Sequence, residues 1–205
     1  MSSTALQTTG FVSGLIGTAG VFAATVMDVW SSSSLQEGHK FSPFYAYKGL
    51  WKDCELSFSG FPECQPLSSH PSYSGILQAA RGLMIVAVLM AVTAGIISIV
   101  CLKCLNMRRT KLLLSAGILF CFAGVSGFAG ASVYADQLVP SFMMLQFSQK
   151  QGEKAGIQCM NGMGATDSFS HRYTFGPALY MAWVGGALLL LGGILESIAF
   201  KRMEM

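Results

Sequence analysis

The sequence predicts a membrane-embedded all-α bundle of four helices that carries a small antiparallel sheet outside the membrane. Three observations lead there. Hydrophobic residues make up 52% of the chain and charged residues only 11%, far from the balance of a water-soluble domain. The few charges leave four long gaps: before Asp28, between Arg81 and Lys103, between Lys111 and Asp136, and between Arg172 and Glu196. The first segment between gaps holds a cysteine pair within an alternating, aromatic-rich stretch.

Each gap accommodates the roughly 20 apolar residues a helix needs to cross about 30 Å of hydrocarbon. The predicted spans are residues 7–27, 76–102, 112–134 and 178–200. Lipid supplies no partner for a backbone amide, so these stretches must be helical. Glycines recur in them, at Gly10, Gly14, Gly17 and Gly20, at Gly117, Gly124, Gly127 and Gly130, and at Gly185, Gly186, Gly192 and Gly193. Small residues let helices approach closely, which predicts a tight bundle. Phe22-Ala23-Ala24 loosely resembles a signal-peptide cleavage site, but no basic region precedes it and the apolar run is too long. The first gap is therefore read as a span.

Basic residues orient the bundle. Lys103, Arg108, Arg109 and Lys111 crowd one short turn, and Lys201 and Arg202 follow the last span. Residues 103–111 and 201–205 are thus expected in the cytoplasm, with both termini on that side and with 28–75 and 135–173 outside. The net charge of +3 reflects this topology and requires no nucleic-acid partner. The basic turn is suited to anionic headgroups of the bilayer.

In the first outer segment, Cys54 and Cys64 face an oxidising compartment, which predicts a disulfide, free thiols being the alternative. Phe44, Ala46, Lys48, Leu50 and Lys52 alternate with Tyr45, Tyr47, Gly49, Trp51 and Asp53, the pattern of strands in a half-buried antiparallel sheet. Ser57, Ser59 and Gly60 mark a hairpin turn between the cysteines. Pro66 and Pro71 interrupt any strand, and residues 67–73 can form a short helix leading into the second span. In the second outer segment the third helix is expected to run no further than Val139, because Pro140 lacks the amide to continue it. Beyond it Gly152, Gly156, Gly162 and Gly164 predict a loop, with Cys159 unpaired, paired between molecules or buried.

Trp30, Gly49-Leu50-Trp51, Cys54 and Cys64 match the W…GLW…C…C signature of the claudins, and the chain resembles that family over nearly its whole length. Arg81, in Leu77-Gln78-Ala79-Ala80-Arg81-Gly82-Leu83, matches the family's arginine at the outer end of the second span. Ala23-Ala24-Thr25-Val26-Met27-Asp28, Ser59-Gly60-Phe61 and Arg172-Tyr173-Thr174-Phe175-Gly176 resemble one claudin subgroup in particular. The resemblance implies a left-handed four-helix bundle topped by an extracellular antiparallel sheet of about five strands, four from the first segment and one from the second. It also implies a plasma-membrane protein of tight junctions, which polymerises with other claudin molecules in cis and pairs with them in trans.

Physical chemistry suggests roles for the signature. Trp30 and Trp51 with Leu50 can anchor the sheet at the water–lipid boundary, and Arg81 can donate to carbonyls of the Gly49 turn. For Trp51, scaffold packing and direct partner contact are both open. In the cation-conducting claudin pattern an acid stands three positions after the first signature cysteine, where this chain has Ser57. The first segment mixes Glu37, Asp53, Glu55 and Glu63 with Lys40, Lys48 and Lys52, which favours a barrier over a charge-selective pore. Lys48, Asp53 and Glu55 are the candidate paracellular charges, with a merely solvated loop face as the alternative. Phe142, Met143, Met144, Leu145 and Phe147, together with Leu67 and Tyr73, are candidates for lateral assembly, although the cluster could equally continue a helix core.

Cys101 and Cys104 at the cytoplasmic end of the second span suit palmitoylation better than metal binding, and Cys121 reads as packing. His39, His70 and His171 are scattered, and no catalytic motif accompanies them, so neither an enzyme nor a cofactor is expected. An auxiliary channel subunit or adhesion protein of the same four-span superfamily is the competing class. The terminal Lys201-Arg202-Met203-Glu204-Met205 lacks the family's usual scaffold-docking motif, which puts PDZ scaffold binding in doubt. No Asn-X-Ser/Thr sequon is present, so N-glycosylation is not expected.

Overall fold

A computed structural model describes residues 3–37, 40–56, 62–66, 74–103, 110–154 and 171–204. In chain order the elements are α1 (Ser3–Val26), β1 (Ser31–Glu37), β2 (Lys40–Lys48), β3 (Lys52–Leu56), β4 (Pro62–Pro66), α2 (Ser74–Lys103), α3 (Thr110–Lys154), β5 (His171–Phe175) and α4 (Pro177–Glu204). The four helices contain stretches long and apolar enough to cross a membrane: Thr4–Val26, Gly75–Leu102, Leu112–Asp136 and Pro177–Met203.

Packing follows a seven-residue rhythm. On α2 the buried positions include Leu77, Ala80, Met84, Ala87, Ala91, Ala94 and Ser98, and on α4 they include Ala178, Ala182, Gly185, Leu189, Gly192, Glu196 and Ala199. Steps of three and four alternate along both, the period that keeps one stripe facing its neighbours in a left-handed bundle. Large side chains such as Ile16, Leu89, Phe122, Val184 and Leu191 point outward, where lipid solvates them as well as protein would. The inside is therefore small and the outside large, the reverse of a soluble bundle.

Adjacent glycine pairs let α4 pack closely on both α1 and α3. A Cβ on Gly192 would lie 2.8 Å from the Gly10 carbonyl oxygen of α1, and one on Gly17 2.8 Å from that of Gly185. On the other side, Gly124 of α3 would meet the Gly186 carbonyl at 2.8 Å, and Gly193 would meet Cys121 Sγ at 2.6 Å. So Gly185 and Gly192 admit α1, while Gly186 and Gly193 admit α3. Helix α2 packs on α3 and meets α1 over a much smaller interface.

The sheet has the order β4-β3-β2-β1-β5, antiparallel throughout the described pairs. Cys54 and Cys64 stand directly opposite each other on β3 and β4 and form a disulfide with Cα atoms 4.0 Å apart. The predicted turn residues Ser57, Ser59 and Gly60 lie outside the described residues, as do 67–73 and 155–170.

The alternating stretch divides at the expected Gly49 turn, where β2 ends at Lys48 and β3 begins at Lys52. Lys48 pairs with Asp53 and the Gly49 amide donates to the Lys52 carbonyl at 2.9 Å, so Leu50 and Trp51 are the two residues of a tight hairpin turn. Alternation persisted across the turn because residues docked at its tip are as apolar as strand residues. One expectation is corrected: helix α3 does not stop at Val139 but continues through Pro140 to Lys154. A proline removes one amide and leaves the carbonyl of Asp136 without that donor, which a long helix tolerates when the gap falls near its exit from the apolar span.

Candidate functional site

The site is built where α1 ends. The last carbonyls of a helix have no partner of their own, and near lipid water cannot be relied on to supply one. Met27 N donates to the Ala23 carbonyl at 2.9 Å, Trp30 Nε1 to that of Ala24 at 2.9 Å, and Trp51 Nε1 to that of Thr25 at 2.7 Å. Both signature tryptophans thus serve as donors that finish α1. An indole suits this work, since it donates but never accepts and surrounds its one polar group with apolar surface.

The hairpin tip is held from the other side. Arg81 Nε on α2 donates to the Leu50 carbonyl at 2.7 Å, and its guanidinium lies 5.3 Å from the Trp51 ring centroid. Leu50 is fully buried. Gly49 backs onto the main chain, where a Cβ would come within 2.6 Å of the Asp28 carbonyl oxygen. Gly49, Leu50 and Trp51 therefore have three separate physical reasons: close approach, burial and capping. Trp30 is wholly buried, whereas Trp51 remains 38% exposed, with one part of its surface bonded into the scaffold and the rest open.

Three contacts complete the joint and were not apparent from sequence. The Trp30 amide donates to the Lys48 carbonyl at 3.0 Å, and the Gly176 amide to the Trp30 carbonyl at 2.8 Å, tying α4 to the sheet. Tyr134 of α3 reaches the Lys48 carbonyl at 3.4 Å and sets its ring 4.9 Å from that of Trp30. A tyrosine at the boundary of an apolar span is the signal that could have found it.

The register gathers the candidate charges on one part of the sheet. Lys48 pairs across the ladder with Asp53, with Nζ 3.1 Å from Oδ2 and both side chains about three-quarters buried, at 27% and 25% exposure. Position 55 lies two residues along β3 and is set opposite position 63, so two glutamates share a register rung. Phe142, Met143 and Phe147 lie on the outer extension of α3, whereas Leu67 and Tyr73 fall outside the described residues. At the other end, Cys101 is half-buried near the end of α2, and Cys104 lies outside the described residues, as does Cys159. Cys121 packs against Gly193, within the α3–α4 contact. No group of three or more metal-ligating side chains gathers among the described residues.

Comparison with known proteins agrees with this architecture. A family model described as PMP-22/EMP/MP20/Claudin matches residues 4–196. Claudin-18 of Bos taurus is 38% identical over 99% of this chain and 76% of its own length, and Claudin-18 of Homo sapiens matches to the same extent. Claudin-7 of Homo sapiens is 30% identical over 100% of this chain and 90% of its own length. With its four membrane-crossing helices, its disulfide-bonded sheet and its capped tryptophan signature, the chain belongs to the PMP-22/EMP/MP20/Claudin family and, by these relatives, to its claudin branch.

Proposed function

We propose that the chain forms tight-junction strands in the plasma membrane, polymerising in cis, pairing in trans and closing the paracellular path as a barrier. The observation that supports sealing is the Lys48–Asp53 pair, whose 3.1 Å contact cancels two of the candidate charges against each other. A locally neutral face attracts neither ion class. In this reading the sheet faces the intercellular gap, both termini and residues 103–111 are cytoplasmic, and the basic residues flanking the spans support that orientation.

Lateral contacts in this reading use Phe142, Met143 and Phe147 on the extension of α3 with Leu67 and Tyr73, and Cys101 and Cys104 carry reversible palmitate on the cytoplasmic side. The partners are other claudin molecules and the lipid bilayer. Expression in cells that make no strands is expected to give continuous strands by freeze-fracture, and in a leaky cell layer to raise transepithelial resistance without new ion preference. Isolated particles in place of strands would instead place the chain with auxiliary or adhesion proteins of the superfamily.

A charge-selective pore is the second reading, favoured by the register that sets Glu55 opposite Glu63. Dilution potentials separate the two. Under the barrier reading Asp53→Asn removes the negative charge facing Lys48 and is expected to move the cation-to-anion permeability ratio toward anions, by up to about fivefold for one unit charge a few ångströms from the path. Lys48→Ala is expected to move it the opposite way. If neither variant moves the ratio while Glu63→Gln abolishes a cation preference, the pore reading replaces the barrier.

A further inference from the structure

Glu196 is the sole charged-type residue between Arg172 and Lys201, and it occupies a core position of the heptad stripe on α4. Its side chain is completely buried. Ser98 Oγ, at the matching stripe position of α2, donates to Glu196 Oε1 at 2.8 Å. Oε2 is buried too, and has no hydrogen-bond partner among the described residues.

Helices α1 and α2 close on this side chain, and α3 packs on α4 one turn away. From α1, Gly10 comes so near that a Cβ on it would lie 3.1 Å from Glu196 Cγ. From α3, Cys121 packs against Gly193, one turn before Glu196. No charged or titratable residue occurs in α1, the facing group of α2 is the Ser98 hydroxyl, and the nearest cations on α4, Lys201 and Arg202, are exposed to the outside. Among the described residues, an anion here would therefore sit in an apolar core with one hydroxyl and no facing cation. Such a charge is held only at severe expense within a bilayer, whereas a carboxylic acid is not.

We propose that Glu196 is a proton-binding site in which the neutral acid, accepting a hydrogen bond from Ser98, latches α2 to α4 across the core. Oε2 carries the proton and Oε1 is the acceptor. The bond spans the diagonal of the bundle, beside the smaller α1–α2 interface, and joins two helices that otherwise share no broad contact. A single polar pair at a heptad position fixes register because every slipped alignment buries both groups without partners.

The test is infrared spectroscopy of the full chain in lipid nanodiscs at neutral pH, with thermal unfolding measured alongside. The difference between wild type and Glu196→Gln is expected to show the carbonyl band of a protonated carboxylic acid, and Ser98→Ala is expected to shift that band by removing its donor. Glu196→Gln, a neutral isostere, should unfold at the wild-type temperature, while Glu196→Ala should unfold about 4 °C lower. Should Glu196→Ala not fold, the Ser98→Ala band shift still decides the matter. Carboxylate bands in place of the acid band, or a band indifferent to Ser98→Ala, overturn the proposal.

Discussion

Trp30→Ala is expected to lower the unfolding temperature by more than about 6 °C and to reduce delivery of folded, disulfide-bonded protein to the cell surface. The residue is fully buried, and removing a buried tryptophan side chain costs about 3–5 kcal/mol. Two further losses accompany the cavity. Trp30 Nε1 no longer finishes α1 through the Ala24 carbonyl, and the Tyr134 ring loses its partner 4.9 Å away. Trp30→Phe separates these contributions, because it retains much of the volume but leaves the carbonyl unmet, at about 1–3 kcal/mol. An alanine variant that unfolds within about 2 °C of wild type, under 1 kcal/mol for a chain of this size, would show that the joint between sheet and bundle does not depend on the indole.

Gly192→Leu is expected to have the other large effect, separating α1 from α4. A Cβ there would stand 2.8 Å from the Gly10 carbonyl oxygen and 2.9 Å from the Gly14 amide nitrogen, so the obstacle is main chain that cannot rotate away. Overpacking a well-filled core usually costs about 1–3 kcal/mol, and a clash between backbones belongs at the upper end. Gly82→Ala is the control. A Cβ on Gly82 meets nothing within 4 Å, so alanine in that helical position should be neutral or stabilising by up to about 1 kcal/mol. Thermal unfolding in detergent should rank the two variants well apart, and equal transition temperatures would contradict the account of the glycine pairs.

How far the sequence could be read depended on the range of the forces involved. The spans were legible because the exclusion of charge from hydrocarbon acts on each residue separately and leaves a gap in the sequence itself. The glycines were legible as signs of close packing, but their partners were not. Whether Gly185 or Gly186 faces α1 depends on the rotation of α4, which every neighbouring helix decides together. The strand alternation ran unbroken through Gly49–Trp51 because burial at a hairpin tip and burial in a strand leave the same apolar mark. Pro140 misled because the propensity rule concerns a single hydrogen bond, and a helix of 45 residues has many others.

The sequence by itself determined that this is a four-span membrane protein with a disulfide-bonded outer segment and the claudin signature, since each of those properties is carried by composition or by short spacing. Only the tertiary structure decided what the signature residues do. Trp30 and Trp51 proved to be the donors that complete α1, Arg81 the residue that holds the Leu50 carbonyl, and Glu196 an acid buried in the core opposite Ser98. Those roles join groups far apart in the chain, from Trp51 to Thr25, Arg81 to Leu50 and Ser98 to Glu196. A hydrogen bond acts only at about 3 Å, so which donor meets which carbonyl is settled once the helices and sheet have brought them together.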